Sequence, residues 1–130
     1  LGQGVGQAGE PVVVFNRFFV AKSRERGVPE LYCEGNGGAV RQPVVAGVER
    51  LTLRYWIRGA ARAVSADAVA PDGWRDVIAV DICVRVRGMR AAARDQYADC
   101  DQAAPRHFDG HARQVFRRRV AVRNHEHIGQ

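Results

Sequence analysis

The stretch VIAVDICVRVR, residues 77–87, alternates two kinds of side chain along its whole length. Its even-numbered positions are all apolar and β-branched, while its odd-numbered positions carry Asp81, Cys83 and two arginines. Successive side chains of a β-strand point to opposite faces, so this period of two predicts a strand with one apolar and one polar face. We expect the apolar face to pack into a hydrophobic core.

Two further stretches repeat this alternation. Residues 48–58 place Leu51, Leu53 and Tyr55 on one side, together with Glu49, and residues 112–123 place Phe116 and Val120 on one side. Arginines dominate the opposite side of both stretches. The three strands therefore predict one sheet whose inner face is apolar and whose outer face is strongly basic.

The basic face is a candidate binding surface for anions. Of the 20 basic residues only Lys22 is a lysine, and the net charge is +6. Like charges on neighbouring strands destabilise a sheet, which favours a bound polyanion such as DNA or anionic lipid; the alternative is a solvated surface in an arginine-rich protein. The candidate anion-binding residues are Arg54, Arg58, Arg85, Arg87, Arg117 and Arg119.

No pattern of residues predicts an enzyme, a cofactor or a metal site. Gly4, Gly6 and Gly9 spell a dinucleotide-binding motif, but a strand follows that motif where a helix is required. The two serines have no histidine near them in sequence, and the four histidines supply no closed set of metal ligands.

Three cysteines leave two interpretations open. Cys33, Cys83 and Cys100 match no zinc-binding spacing, so disulfides in an oxidising compartment are one interpretation and three free thiols in a reducing one the other. A bridge between Cys83 and Cys100 would tie down the long loop that follows the central strand and stabilise the fold by about 3 kcal/mol.

Length predicts a single domain spanning residues 1–130. Residues 1–11 are glycine-rich and predict an irregular lead-in, and residues 125–130 predict a flexible tail. Residues 12–21 are apolar on both faces, which predicts a central or covered strand that forms a hairpin with residues 31–33. The alanine-rich residues 60–70 predict one or two helical turns, and residues 88–110 a long loop.

The predicted sheet has more apolar surface than two helical turns can cover. A helix outside the chain is the natural candidate to cover it. The chain begins at Leu1, which is not a natural start residue, so we expect a fragment of a longer protein. No run of residues in the chain is long and apolar enough to predict a membrane helix, because Asn16 and Arg17 interrupt the apolar stretch at 12–20.

Several short sequence segments, taken in order, resemble the C-terminal part of PilW-type minor pilins of type IV pilus assembly. They are NRFFV at 16–20, LYCEGNG at 31–37, QPVV at 42–45, GVERL at 47–51, Trp74 with VIAV at 77–80, YADC at 97–100, and VF at 115–116 running to VRN at 122–124.

This resemblance implies an α+β, pilin-like globular domain, mainly antiparallel β-sheet, that lacks its N-terminal helix. The missing helix would anchor the protein in the bacterial inner membrane, and Cys33 would pair with a cysteine just upstream of Leu1. The resemblance also implies a non-enzymatic minor pilin that acts in pilus assembly or initiation at the inner membrane and at the pilus tip. Its location would be the inner membrane, the periplasm and the extracellular pilus.

The partners that the resemblance implies are other minor pilins, the major pilin and the inner-membrane assembly machinery, with no small-molecule substrate. Arg50, Asp81 and the run at 117–119 depart from the residues usual in such proteins, which leaves surface-specific partners open. Alternatives are a DNA-binding pilin subunit for DNA uptake, a minor pseudopilin of type II secretion, and a cytosolic basic module.

Overall fold

A computed structural model of the chain describes residues 13–37, 40–91, 99–101 and 109–122. The lead-in predicted at 1–11 and the tail predicted at 125–130 lie outside the described residues. The strands are β1 (Asn16–Lys22), β2 (Pro29–Gly35), β3 (Gln42–Ala46), β4 (Val48–Ile57), β5 (Val77–Ala91) and β6 (His111–Ala121). Two short 3-10 helices, Ala66–Ala68 and Gly73–Asp76, lie between β4 and β5.

The α+β class expected from the sequence is wrong. The described residues form two antiparallel sheets, and the helical segments among them are the two single 3-10 turns. The alanine-rich residues 60–70 do not form an α-helix because the run is shorter than an isolated helix needs and Val64, Ser65 and Val69 interrupt it. No helix in the described part of the chain is long and apolar enough to cross a membrane.

The first sheet has the strand order β1-β2-β3. The predicted hairpin is confirmed, because β1 and β2 pair antiparallel from Asn16–Gly35 to Lys22–Pro29. The central position predicted for residues 12–21 is wrong, since β1 is an edge strand and Phe18 is 50% exposed. β3 was not predicted, because Pro43 interrupts it and its five residues show no alternation of apolar and polar side chains. In the structure all five are exposed, with Val44 and Val45 a little under half exposed.

The second sheet has the order β4-β5-β6 and follows the predicted alternation. Leu53 on β4 pairs with Ile82 on β5, while the next pair along, Thr52 and Cys83, lies on the opposite face. On the other side of β5, Cys83 pairs with Arg117 and Val84 with Phe116. The register therefore creates an apolar and a basic face, as predicted.

Gly47 connects the two sheets through its backbone. Its N–H donates to the carbonyl of Pro29 on β2, and its carbonyl accepts from the N–H of Arg87 on β5, at 2.8 and 2.7 Å. Its φ is +83°, and a Cβ there would lie 2.7 Å from the carbonyl oxygen of Arg87. Only glycine fits this position without strain, so Gly47 fixes the junction.

A β-bulge at the start of β4 moves Glu49 to the basic face. The register shifts between Val48 and Arg50, and the Glu49 carboxylate contacts Arg85 and Arg113 on that face. The expectation that Glu49 shares the side of Leu51 is wrong, because an extra residue in one strand reverses the alternation locally.

Candidate functional site

The apolar face of the second sheet is largely open among the described residues. The prediction that this face packs into a core is wrong for these residues, whereas the expectation that two helical turns cannot cover it agrees with the structure. Among the described residues, Leu53 and Ile78 are each 38% exposed, Val120 is 46% exposed and Phe116 is 53% exposed. On β4 the face is partly covered, because Trp74 packs edge-on against Tyr55 with ring centroids 4.9 Å apart. This face is therefore a candidate interaction surface.

A groove runs across the open apolar face. Ile82, Val84 and Phe116 line it, with Arg117 and Arg118 at its margin, and its volume is about 330 Å³. Arg118 projects from β6 among apolar neighbours, since it pairs in register with Ile82. The groove thus combines an apolar floor with a basic rim.

The basic face is closed over its centre by a disulfide. Cys83 in the middle of β5 is bonded to Cys100, and the two Cα atoms are 5.8 Å apart. The bond holds residues 99–101 against the face, and Cys83 is only 8% exposed. We call residues 99–101 the tethered segment.

The tethered segment brings carboxylates onto the arginines. Asp99 is 3% exposed, and its Oδ2 lies 2.7 Å from a guanidinium nitrogen of Arg85 and 3.6 Å from one of Arg50. Asp101 forms an ion pair with Arg50. The backbone carbonyl of Asp99 also accepts a hydrogen bond from Arg117. Buried charges need such partners, so this half of the face is an internal ion-pair network.

Arg113 forms the deepest part of this network. Its side chain is 2% exposed and makes a two-pronged contact to Glu49, at 2.8 and 3.0 Å. Arg113 also donates to Asp109, and this hydrogen bond holds the pKa of that exposed carboxyl well below its usual value. Arg85 shares the Glu49 carboxylate at 3.1 Å.

Asp81, Trp56 and Arg119 form a separate cluster at the other end of the basic face. Arg119 donates from Nε to Asp81 at 2.6 Å, Trp56 donates from Nε1 at 2.8 Å, and the Arg119 guanidinium lies 4.3 Å from the centroid of the Trp56 ring. The hydrogen bond from Arg119 is the main reason why the pKa of Asp81 is lowered. The same bond raises the pKa of Arg119.

The structure separates the six candidate anion-binding arginines into three groups. Arg85 and Arg119 are paired with carboxylates. Arg54 and Arg117 donate to the carbonyl oxygens of Ala63 and Asp99 respectively. For Arg58 and Arg87 the structure shows no ion pair or side-chain hydrogen bond with the described residues. The six do not act as one uniform cationic surface.

Sequence reasoning missed the acidic partners Glu49, Asp99 and Asp101. The bulge places Glu49 on the basic face, against the alternation of its strand. Asp99 and Asp101 lie in the predicted long loop, for which the alternation gives no position. One signal was available, because Asp99 and Asp101 flank Cys100: a bridge to Cys83 necessarily brings both carboxylates to the arginines beside Cys83.

Cys33 is buried in the first sheet with 3% exposure, and its Sγ lies 3.9 Å from the side-chain oxygen of Asn16. It is a free thiol in this structure. The pairing with a cysteine upstream of Leu1 stays a prediction. The part of the chain that the structure describes contains no group of three or more His, Cys, Asp or Glu residues arranged to hold a metal ion.

Comparison with known protein families identifies a family to which this chain is similar. The family described as Type IV Pilus-assembly protein W, PilW, matches residues 17–124. No curated protein and no solved structure matches the chain. The matched range includes all six strands but the first residue of β1, which confirms the resemblance found in the sequence. The chain therefore belongs to the type IV pilus-assembly protein W family.

Proposed function

We propose that this protein is a minor pilin that takes part in the assembly and initiation of type IV pili, at the inner membrane and at the pilus tip. Membership of a pilus-assembly family supports a role among pilus components. The observation that carries the proposal is the open apolar face of β4, β5 and β6, on which Phe116 of the edge strand β6 is 53% exposed.

An exposed apolar face of this kind is characteristic of an interaction surface. In our proposal the groove lined by Ile82, Val84 and Phe116 receives an apolar helix of the pilus assembly. Other minor pilins, the major pilin and the inner-membrane assembly machinery are the partners. Such a helix could belong to a segment upstream of Leu1, which would also anchor the protein in the inner membrane.

In-cell photo-crosslinking tests this proposal. A photoreactive amino acid replaces Phe116 on the apolar face, and the same amino acid replaces Arg87 on the basic face as the matched control. We expect the first variant to crosslink to pilin subunits or to an upstream segment of the same polypeptide, and the control to give much weaker products. Absence of crosslinks from position 116 in piliated cells would contradict the proposal.

A deletion strain separates this role from type II secretion. We expect deletion to reduce the number of surface pili while protein secretion stays at the wild-type level, and complementation with the intact gene to restore the pili. Loss of secretion with normal piliation would instead assign the protein to a secretion pseudopilus. Membrane fractionation of the complemented strain tests the proposed location at the inner membrane.

A further inference from the structure

The charges on the basic face are unevenly distributed. Among the described residues, the end near Glu49 holds four arginines (Arg50, Arg85, Arg87 and Arg113) and four carboxylates, those of Glu49, Asp99, Asp101 and Asp109. The other end holds three described arginines (Arg54, Arg117 and Arg119) and one described carboxylate, that of Asp81. The positive charge of the face is thus concentrated at the second end.

The second end is concave. Thr52 and Arg54 from β4, Asp81 from β5, and Arg117 and Arg119 from β6 line a cavity of about 410 Å³, with the Cys83–Cys100 disulfide in its wall. We call this cavity the arginine groove. β4 and β6 flank β5, so their backbones are roughly 10 Å apart, a span that two arginine side chains can bridge from opposite sides.

The carboxylate of Asp81 does not neutralise the whole groove. Arg119 contacts both of its oxygens and Trp56 donates to Oδ2, and the resulting low pKa keeps Asp81 ionised and engaged. Among the described residues, the side chains of Arg54 and Arg117 donate hydrogen bonds only to carbonyl oxygens. The charge of Arg54 also helps to lower the pKa of Asp81, but that carboxylate is hydrogen-bonded to Arg119, so neither Arg54 nor Arg117 has a carboxylate of its own. Both are exposed to solvent.

We infer that the arginine groove binds phosphate groups of an anionic chain, and that Arg54 and Arg117 are the binding residues. A guanidinium presents a planar fork that matches two phosphate oxygens, and the hydroxyl of Thr52, two residues before Arg54 on β4, can also donate to a phosphate in the groove. We assign the ligand to single-stranded nucleic acid, because Trp56 donates to the groove residue Asp81 and lies against Arg119, which places an aromatic ring and a guanidinium plane beside the groove for a base to stack on. This inference is independent of the proposed role in pilus assembly.

Binding of a fluorescent 20-mer of thymidine to the full disulfide-bonded chain tests the inference. Each phosphate contact on a single strand contributes about 0.7 to the slope of log affinity against log salt concentration. Two contacts predict an affinity about 25-fold weaker at 200 mM than at 20 mM salt. We expect the double variant Arg54→Gln, Arg117→Gln to lower this slope by about 1.4.

The matched control removes two exposed arginine charges elsewhere, as Arg24→Gln with Arg75→Gln. We expect this control to keep the wild-type slope. The variant Arg54→Lys, Arg117→Lys retains both charges without the forks, and we expect partial affinity from it. An equal loss in the control and groove variants, or no binding at 20 mM salt, would overturn the inference.

A fluorescence measurement tests the inference without any substitution in the arginine groove. In a Trp74→Phe variant, Trp56 is the remaining tryptophan and reports directly on its contact to Asp81. We expect the oligonucleotide to change Trp56 emission and inorganic phosphate at high concentration to reverse that change by competition. Binding to anionic lipid vesicles with no response to the oligonucleotide would overturn the assignment to nucleic acid.

Discussion

The two faces of the β4-β5-β6 sheet reverse the usual relation between polarity and burial. On the basic face, Asp99 is 3% exposed and the Arg113 side chain 2% exposed, while on the apolar face Phe116 and Val120 are about half exposed. The difference arises because a disulfide holds the tethered segment on the polar side, and no described element covers most of the other. The residues buried on this sheet are those held by the disulfide and the ion pairs, and the apolar surface remains exposed for association.

The largest expected effect comes from removing the disulfide. We expect Cys83→Ala with Cys100→Ala to lower the free energy of unfolding by about 3 kcal/mol, because the bond closes a loop of 17 residues and holds the tethered segment in place. Urea unfolding with and without reductant measures the effect. The double variant should be insensitive to reductant, and an equally stable reduced wild-type protein would show that the tether does not organise the basic face.

The second-largest effect on stability should come from a buried carboxylate. We expect Asp99→Asn to lower the free energy of unfolding by about 2 kcal/mol, since Arg85 loses a charged partner in a buried site. Asp101→Asn is the matched control, because Asp101 is 48% exposed and pairs with the half-exposed Arg50, and its effect should stay below about 1 kcal/mol. Similar unfolding free energies for the two variants would contradict the importance of burial on this face.

A smaller effect on stability is expected from acid, at the cluster formed by Asp81, Trp56 and Arg119. The pKa of Asp81 in the folded state is lowered from 3.8, so its contribution to stability is present above that pH and is lost as pH falls through the lower folded value. We expect Trp56 fluorescence to change in this acid range in a Trp74→Phe background. Adding Asp81→Asn should abolish the transition, and its persistence would assign the signal to another group.

The smallest effect on the isolated domain should come from the apolar face. We expect Phe116→Ser to change the free energy of unfolding by no more than about 0.5 kcal/mol, because the side chain is already half exposed. The same variant should reduce piliation if this face packs in the assembly. A strongly destabilised isolated domain would show that Phe116 belongs to a core after all.

Local periodicity made much of the second sheet predictable. The alternation at 77–87 reported the strand and its two faces correctly, because side-chain direction in a strand depends only on its neighbours in sequence. The burial of those faces could not be predicted from this alternation. Whether Phe116 is covered depends on chain elements far away in sequence, and so the predicted core face proved to be open.

The site was predictable in its residue types and not in its pairings. The arginines were visible as a pattern, but Glu49 reached them through a bulge and Asp99 through a loop fixed by Cys100. The position of Glu49 depends on a bulge that the alternation does not encode, whereas the position of Asp99 follows from the sequence once Cys100 is known to bond to Cys83. The α+β class, which the resemblance to minor pilins implied, is wrong for the described residues, because they form two antiparallel sheets and only two 3-10 turns. The helical turns predicted for the alanine-rich run did not extend to an α-helix, since the run is short and interrupted.

Gly47 has a mechanical consequence for any fibre that contains this domain. One peptide unit on each side of it and two hydrogen bonds, to Pro29 and from Arg87, connect the sheets at this point. A displacement of one sheet relative to the other at this point must therefore stretch at least one of these two hydrogen bonds. The stiffness of the domain under tension is set in part by a residue that has no side chain.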